Sequence, residues 1–211
     1  MAAAVALAFA GMAHAALPAS NPFAAPSTLP LQYPAFDKIG DTDYAPAFDE
    51  GMQEQAAEIA RIANNKAAPT FENTIVAMER SGRLLNRVST VFFSLNGANT
   101  NDTLQALDRV LAPQLSAHSD AMLLNARLYA RIKTLYDKRA RLGLDAESSY
   151  LLERYHTDFV RAGAKLSAAD KEKLKAYNGK LAALQTAFAQ NVLKELNASA
   201  LVVDTKQELE G

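Results

Sequence analysis

From residue 41 onward, apolar positions recur with the 3.6-residue period of amphipathic helices. Phe48, Met52, Gln55, Ile59 and Ile62 share one face, with Asp41, Thr42 and Asp43 as capping candidates, Pro46 in the first turn and Asn64-Asn65 at the close. Thr70 then caps a second helix whose stripe is Phe71, Ile75, Met78, Leu85, Val88, Phe92 and Leu95, ending at Asn96-Gly97. A third opens near Asn101, is lined by Leu104, Leu107, Leu111, Leu115 and Met122, and should kink at Pro113. Asn125 caps a fourth, with Leu128, Ile132 and Leu135, ending at Gly143. Asp145 caps a fifth, with Leu151, Leu152, Tyr155 and Phe159, ending at Gly163. Ser167 and Asp170 open a sixth that runs to about Asn197 through Leu174, Tyr177, Leu181, Leu184, Phe188 and Val192, long enough to cross the whole domain. The pattern predicts an all-α domain of about six helices over residues 41–198.

Both ends follow other rules. Met1 to Ala15 is apolar, Ala-rich and too short to span a bilayer as a helix. It ends in Ala13-His14-Ala15, the small-x-small pattern of a cleavage site, and reads as a secretory signal peptide over residues 1–15 that leaves Ala16 as the mature N-terminus. No Lys or Arg precedes its apolar run, and an Ala-rich tail is the other reading. Residues 16–40 form a Pro-rich arm, with Pro18, Pro22, Pro26, Pro30 and Pro34 every four residues, a spacing that excludes helix. Phe23, Leu29, Leu31, Tyr33 and Phe36 lie between the prolines, so the arm is expected to lie along a surface and bury them. At the other end, over residues 199–211, Ala200-Leu201-Val202-Val203 has the composition of a short strand, and Thr205-Lys206-Gln207-Glu208 is a capping box that should open another helix. This reads as the start of a further segment of a longer protein.

Composition narrows the chemistry. The formal net charge of −1 disfavours a nucleic-acid partner, which needs surplus Lys and Arg against phosphate. The absence of Cys excludes disulfides, thiolate zinc sites and a thiol nucleophile. Mixed charge runs such as Lys133 to Arg141 and Lys165 to Lys175 read as solvated helix faces. Asp49-Glu50 is explained as exposed acids near a helix N-terminus. None of the H-E-x-x-H, G-x-S-x-G, P-loop or dinucleotide-binding motifs occurs. Of the three His, His14 lies in the leader, and His118 stands beside an apolar helix face as a structural residue. His156 closes Glu153-Arg154-Tyr155-His156, an E-x-x-H unit of the kind di-iron bundles use in pairs, but no second unit is present. The residues alone therefore nominate no catalytic or metal-binding position and leave the substrate-binding residues unknown. After leader removal no membrane span remains.

Several segments together resemble one family. They are Asn21-Pro22-Phe23, Ser27-Thr28-Leu29-Pro30 and Pro34-Ala35-Phe36-Asp37, then Ala68-Pro69-Thr70-Phe71-Glu72-Asn73-Thr74 with Ala77-Met78-Glu79-Arg80-Ser81-Gly82. Ala98-Asn99-Thr100-Asn101-Asp102, Pro113-Gln114-Leu115-Ser116-Ala117-His118-Ser119-Asp120, Gly143-Leu144-Asp145-Ala146-Glu147-Ser148 and Asp158-Phe159-Val160-Arg161-Ala162-Gly163-Ala164 follow in the same order. This resembles the N-terminal part of the bacterial peptidyl-dipeptidases (Dcp type), in the thimet oligopeptidase and oligopeptidase A group of zinc metallopeptidases.

The resemblance implies the helical N-terminal region of a two-lobed, mostly helical zincin-type enzyme that releases dipeptides from the C-terminus of oligopeptides. Its zinc would be held by H-E-x-x-H and a downstream Glu in a C-terminal catalytic half, none of which lies in this sequence. These residues would wall the substrate channel, bind no zinc themselves, and take short peptides and the catalytic half as partners. With the leader, the expected location is the periplasm, or the cytoplasm if the leader does not function. A stand-alone helical peptide-binding module and an inactive paralogue are the alternatives, and the coding sequence beyond Gly211 separates them.

Overall fold

A computed structural model describes residues 17–199 and 203–209. The leader expected at residues 1–15 lies outside the described residues, as does the run Ala200 to Val202. No strand occurs among the described residues, and the chain is all-α. Six long helices are α1 (Asp41–Ala63), α3 (Arg83–Ala98), α4 (Asp102–Leu123), α5 (Ala126–Asp137), α6 (Ala146–Arg161) and α7 (Ala168–Ala198). A short α2 (Ala77–Glu79) continues a π-helical turn at Glu72–Val76.

The caps hold most of the helix starts where local chemistry places them. Asn101, Asn125, Asp145 and Ser167 each accept a backbone N–H of the first turn that follows. Thr70 and Asn73 cap reciprocally, the Asn73 N–H donating to Thr70 Oγ1 (3.0 Å) and the Thr70 N–H to Asn73 Oδ1 (2.9 Å). At α1 the cap position is Gly40, whose N–H donates to Asp43 Oδ2 at 2.8 Å. Pro46 falls past the first turn, inside α1.

Several expectations are corrected. The stripe from Phe71 to Leu95 is not one helix, because Gly82 adopts φ 69° between α2 and α3. That left-handed residue turns its N–H to Glu58 Oε2 (2.7 Å), and a Cβ there would lie 2.3 Å from Gln55 Nε2. α4 runs from Asp102 to Leu123 and continues through Pro113. α5 ends at Asp137, not Gly143, and a 3-10 turn, Arg139–Arg141, follows it. There Arg139 lies 4.2 Å over the Tyr136 ring, which itself stacks on His156 at 3.8 Å across to α6. Among the described residues, Thr205 is followed by a 3-10 turn, Lys206–Leu209.

Two apolar clusters make up the core, and α1 supplies both. Its first half sends Tyr44, Ala47 and Phe48 among Phe23, Leu84, Leu85, Val88, Val91, Phe92, Leu104 and Leu111. Its second half sends Ile59, Ile62 and Ala63 among Ile75, Met78, Leu128, Tyr129, Ile132, Leu135, Leu152 and Phe159. Between them α1 crosses α3 at Gly51, where a Cβ would stand 2.8 Å from the Leu85 backbone nitrogen. Arg131 on α5 staples the α1–α2 loop, donating to the carbonyls of Asn65 (2.9 Å) and Ala67 (3.1 Å) and to Asn73 Oδ1 (2.7 Å).

Candidate functional site

The histidines come first, because they are the groups best suited to chemistry at neutral pH. His118 on α4 places Nε2 2.7 Å from Gln55 Oε1 on α1, and burial pushes its pKa below the ordinary imidazole value. His156 is sandwiched between Tyr136 and Tyr129. Burial and then Lys165 push its pKa down as well. Glu153, the other end of the E-x-x-H unit, is exposed. Asp49 is also exposed and Glu50 is half-buried. His118 is thus held by one side-chain contact and His156 by a stack of two tyrosines, on different helices. Among the described residues, no group of three or more His, Asp or Glu could hold a metal ion. His14 lies outside the described residues.

The polar pair nearest to reactive chemistry is Tyr155 and Glu79, with the phenol donating to Glu79 Oε1 at 2.5 Å. Burial, then that hydrogen bond, raises the tyrosine pKa well above its ordinary value, so the pair is a neutral donor on a carboxylate and fastens α6 to α2.

What stands out is a surface. The helix α7 is 31 residues, about 46 Å at 1.5 Å per residue, and none of its residues is buried. It lies antiparallel to α4: Lys171 Nζ donates to the Leu124 carbonyl (3.1 Å), Asn178 Nδ2 to Asp120 Oδ1 (2.7 Å) and Gln190 Nε2 to the Gln105 carbonyl (2.9 Å). The half-buried side facing α4 is mostly small or polar, carrying Asn178, Ala182, Thr186 and Gln190. The large apolar stripe points away. Tyr177, Leu181, Leu184, Phe188, Val192 and Leu196 are all exposed, Phe188 by 70%. The periodicity locates this stripe correctly, but the stripe is not the side that packs within these residues. Covering one such side chain contributes roughly 2 kcal/mol.

The arm behaves in the same way. Phe23 is buried against Tyr44, with Asn21 Nδ2 donating to the Asp43 carbonyl (3.0 Å) and Arg87 Nη2 to the Phe23 carbonyl (2.6 Å). The remaining apolar residues of the arm, Leu29, Leu31, Tyr33 and Phe36, are exposed among the described residues. Leu31 and Gln32 both adopt φ 56°, a conformation unfavourable to side chains with a Cβ. Both surfaces suit contact with polypeptide, being apolar, extended and rimmed by polar side chains.

No helix among the described residues is long and apolar enough to cross a membrane. No family model matches the chain. Over 191 residues, 90% of this chain, it is 48% identical to a protein of Escherichia coli K12 named dipeptidyl carboxypeptidase. Over 192 residues it is 45% identical to the protein of that name from Salmonella typhimurium LT2. In both cases the chain spans 28% of the relative's length. The helical chain described here is therefore similar to a part, somewhat over a quarter in length, of these two dipeptidyl carboxypeptidases.

Proposed function

We propose that these residues are the N-terminal helical region of a longer zinc peptidase that releases dipeptides from the C-terminus of oligopeptides. The 48% identity to the Escherichia coli dipeptidyl carboxypeptidase over nine-tenths of this chain carries the reading. Amide hydrolysis by a metallopeptidase needs a polarised carbonyl and an activated water, both of which a zinc ion with an adjacent base can supply. In this reading the zinc and its ligands belong to the portion of the protein outside these residues. The helices described here would wall the substrate channel and restrict it to short, unfolded peptides. Residues 1–15 would direct export to the periplasm, where such an enzyme would degrade oligopeptides.

The test compares two proteins on a short peptide with a free C-terminus: residues 16–211, and the longer product of the same gene. The longer product should release C-terminal dipeptides and lose that activity to a chelator, with zinc restoring it, while residues 16–211 should release nothing. Chelator-sensitive cleavage by residues 16–211 would overturn the assignment of the chemistry to the other portion. A longer product without peptidase activity would overturn the peptidase reading in favour of an inactive paralogue, and a gene ending after Gly211 would do so in favour of a stand-alone module.

A further inference from the structure

We infer that the outward face of α7 and the tip of the arm form one docking surface, and that its occupant is the portion of the peptidase polypeptide that these residues do not span. The inference rests on the reading above and adds the place where the two portions meet. Its first ground is the orientation of α7. One side of the helix is committed to α4 through Lys171, Asn178 and Gln190. The other carries large, exposed apolar side chains from Tyr177 to Leu196.

The second ground is independent and lies in the backbone. Leu31 holds φ 56° while its side chain is fully exposed, at 102%. A left-handed leucine persists where surrounding contacts repay it, and no side chain among the described residues covers this one. The third ground is position. α4 begins beside the start of α1, where Asn101 Nδ2 donates to Asp41 Oδ2 (2.9 Å), and the arm is fastened at the same end through Asn21 and Asp43. Because α7 runs antiparallel to α4, its C-terminal turns, from Gln190 to Asn197, come back to that end. The anchor of the arm and the C-terminal turns of α7 thus lie at one end of the helix array.

The relatives say which occupant to expect. This chain aligns along nine-tenths of itself but spans only 28% of the Escherichia coli protein, so most of such a polypeptide is available to cover the surface. An apolar stripe calls for an equally apolar, dry protein surface. A second copy of this chain would leave that larger portion without the contact.

The chain has no Cys, so single thiols report cleanly. Phe188→Cys and Leu31→Cys are made separately, in the 211-residue chain and in the longer gene product, and alkylation is followed at each site by peptide mass spectrometry. In the 211-residue chain both thiols should react within a few-fold of their rate in denaturant, and in the longer product at least about tenfold more slowly. Unprotected thiols in a longer product that still releases dipeptides would overturn the docking surface and leave the peptidase reading intact. Protection in the 211-residue chain that deepens with concentration would overturn it in favour of a second copy. Protected thiols in a longer product without peptidase activity would support the docking surface and overturn the functional reading alone.

Discussion

His118 shows how one side chain ties burial to pH. Its imidazole is pushed below the ordinary value by burial, while the unfolded chain restores a value near 6.5. The folded state therefore binds this proton more weakly than the unfolded state does. Stability from His118 is complete above the unfolded value, falls as the pH drops through about 6.5, and levels off below the depressed folded value. His156 shifts in the same direction, chiefly by burial, and adds to the slope. The urea midpoint should accordingly be lower at about pH 5 than at about pH 8, and His118→Gln, which keeps a partner for Gln55, should flatten part of that difference. An undiminished slope in the variant would assign the effect elsewhere. At this scale the sequence identifies caps well and tertiary partners poorly. Thr70, Asn101, Asn125, Asp145 and Ser167 act on backbone within their own turn, so spacing suffices to find them. The bond from His118 to Gln55 spans 63 positions, and no local pattern encodes it. Ser81-Gly82 is intermediate: the glycine was a visible signal, but its break becomes necessary only once Glu58 and Gln55 stand beside it.

Among the elements, α7 tests the balance between propensity and packing. It continues through Gly179, where an added Cβ would meet no atom within 4 Å. With no buried residue, α7 depends more on helix propensity than its neighbours do. Gly179→Ala should raise stability in urea by about 1 kcal/mol, since the alanine costs less backbone entropy and meets no obstruction. A loss of stability would show that the glycine serves a contact outside these residues. Helix identity and period were legible because i, i+3 and i+4 spacing is a property of a single element. Which side of the helix packs was not legible. On α7 the side that meets α4 is built of Asn178, Ala182, Thr186 and Gln190, and the bulky stripe faces out. The arm misleads in the same way, with apolar residues that mark a contact but not its owner. The histidines, by contrast, carried no local signal of their contacts: His156 stacks on Tyr136, across from α6 to α5.

For the whole molecule, the division of the core along α1 has a mechanical meaning. One cluster joins the arm, α3 and α4 to the first half of α1, and the other joins α5 and α6 to its second half, with Gly51 near the boundary. Each cluster can therefore loosen while α1 stays anchored in the other. Hydrogen exchange should resolve the molecule into units of different persistence. The amides of α7 should exchange first, because no buried side chain holds that helix. Those of α3 with α4 and those of α5 with α6 should form two further groups that respond separately to core substitutions, such as Leu111→Ala in one and Leu135→Ala in the other. The buried turns of α1 should outlast both groups, since their release requires both clusters to open. Uniform exchange through α1, α3 and α5 would mean that the clusters melt as one. If they melt apart, α1 is the shared spine on which two foldons are strung.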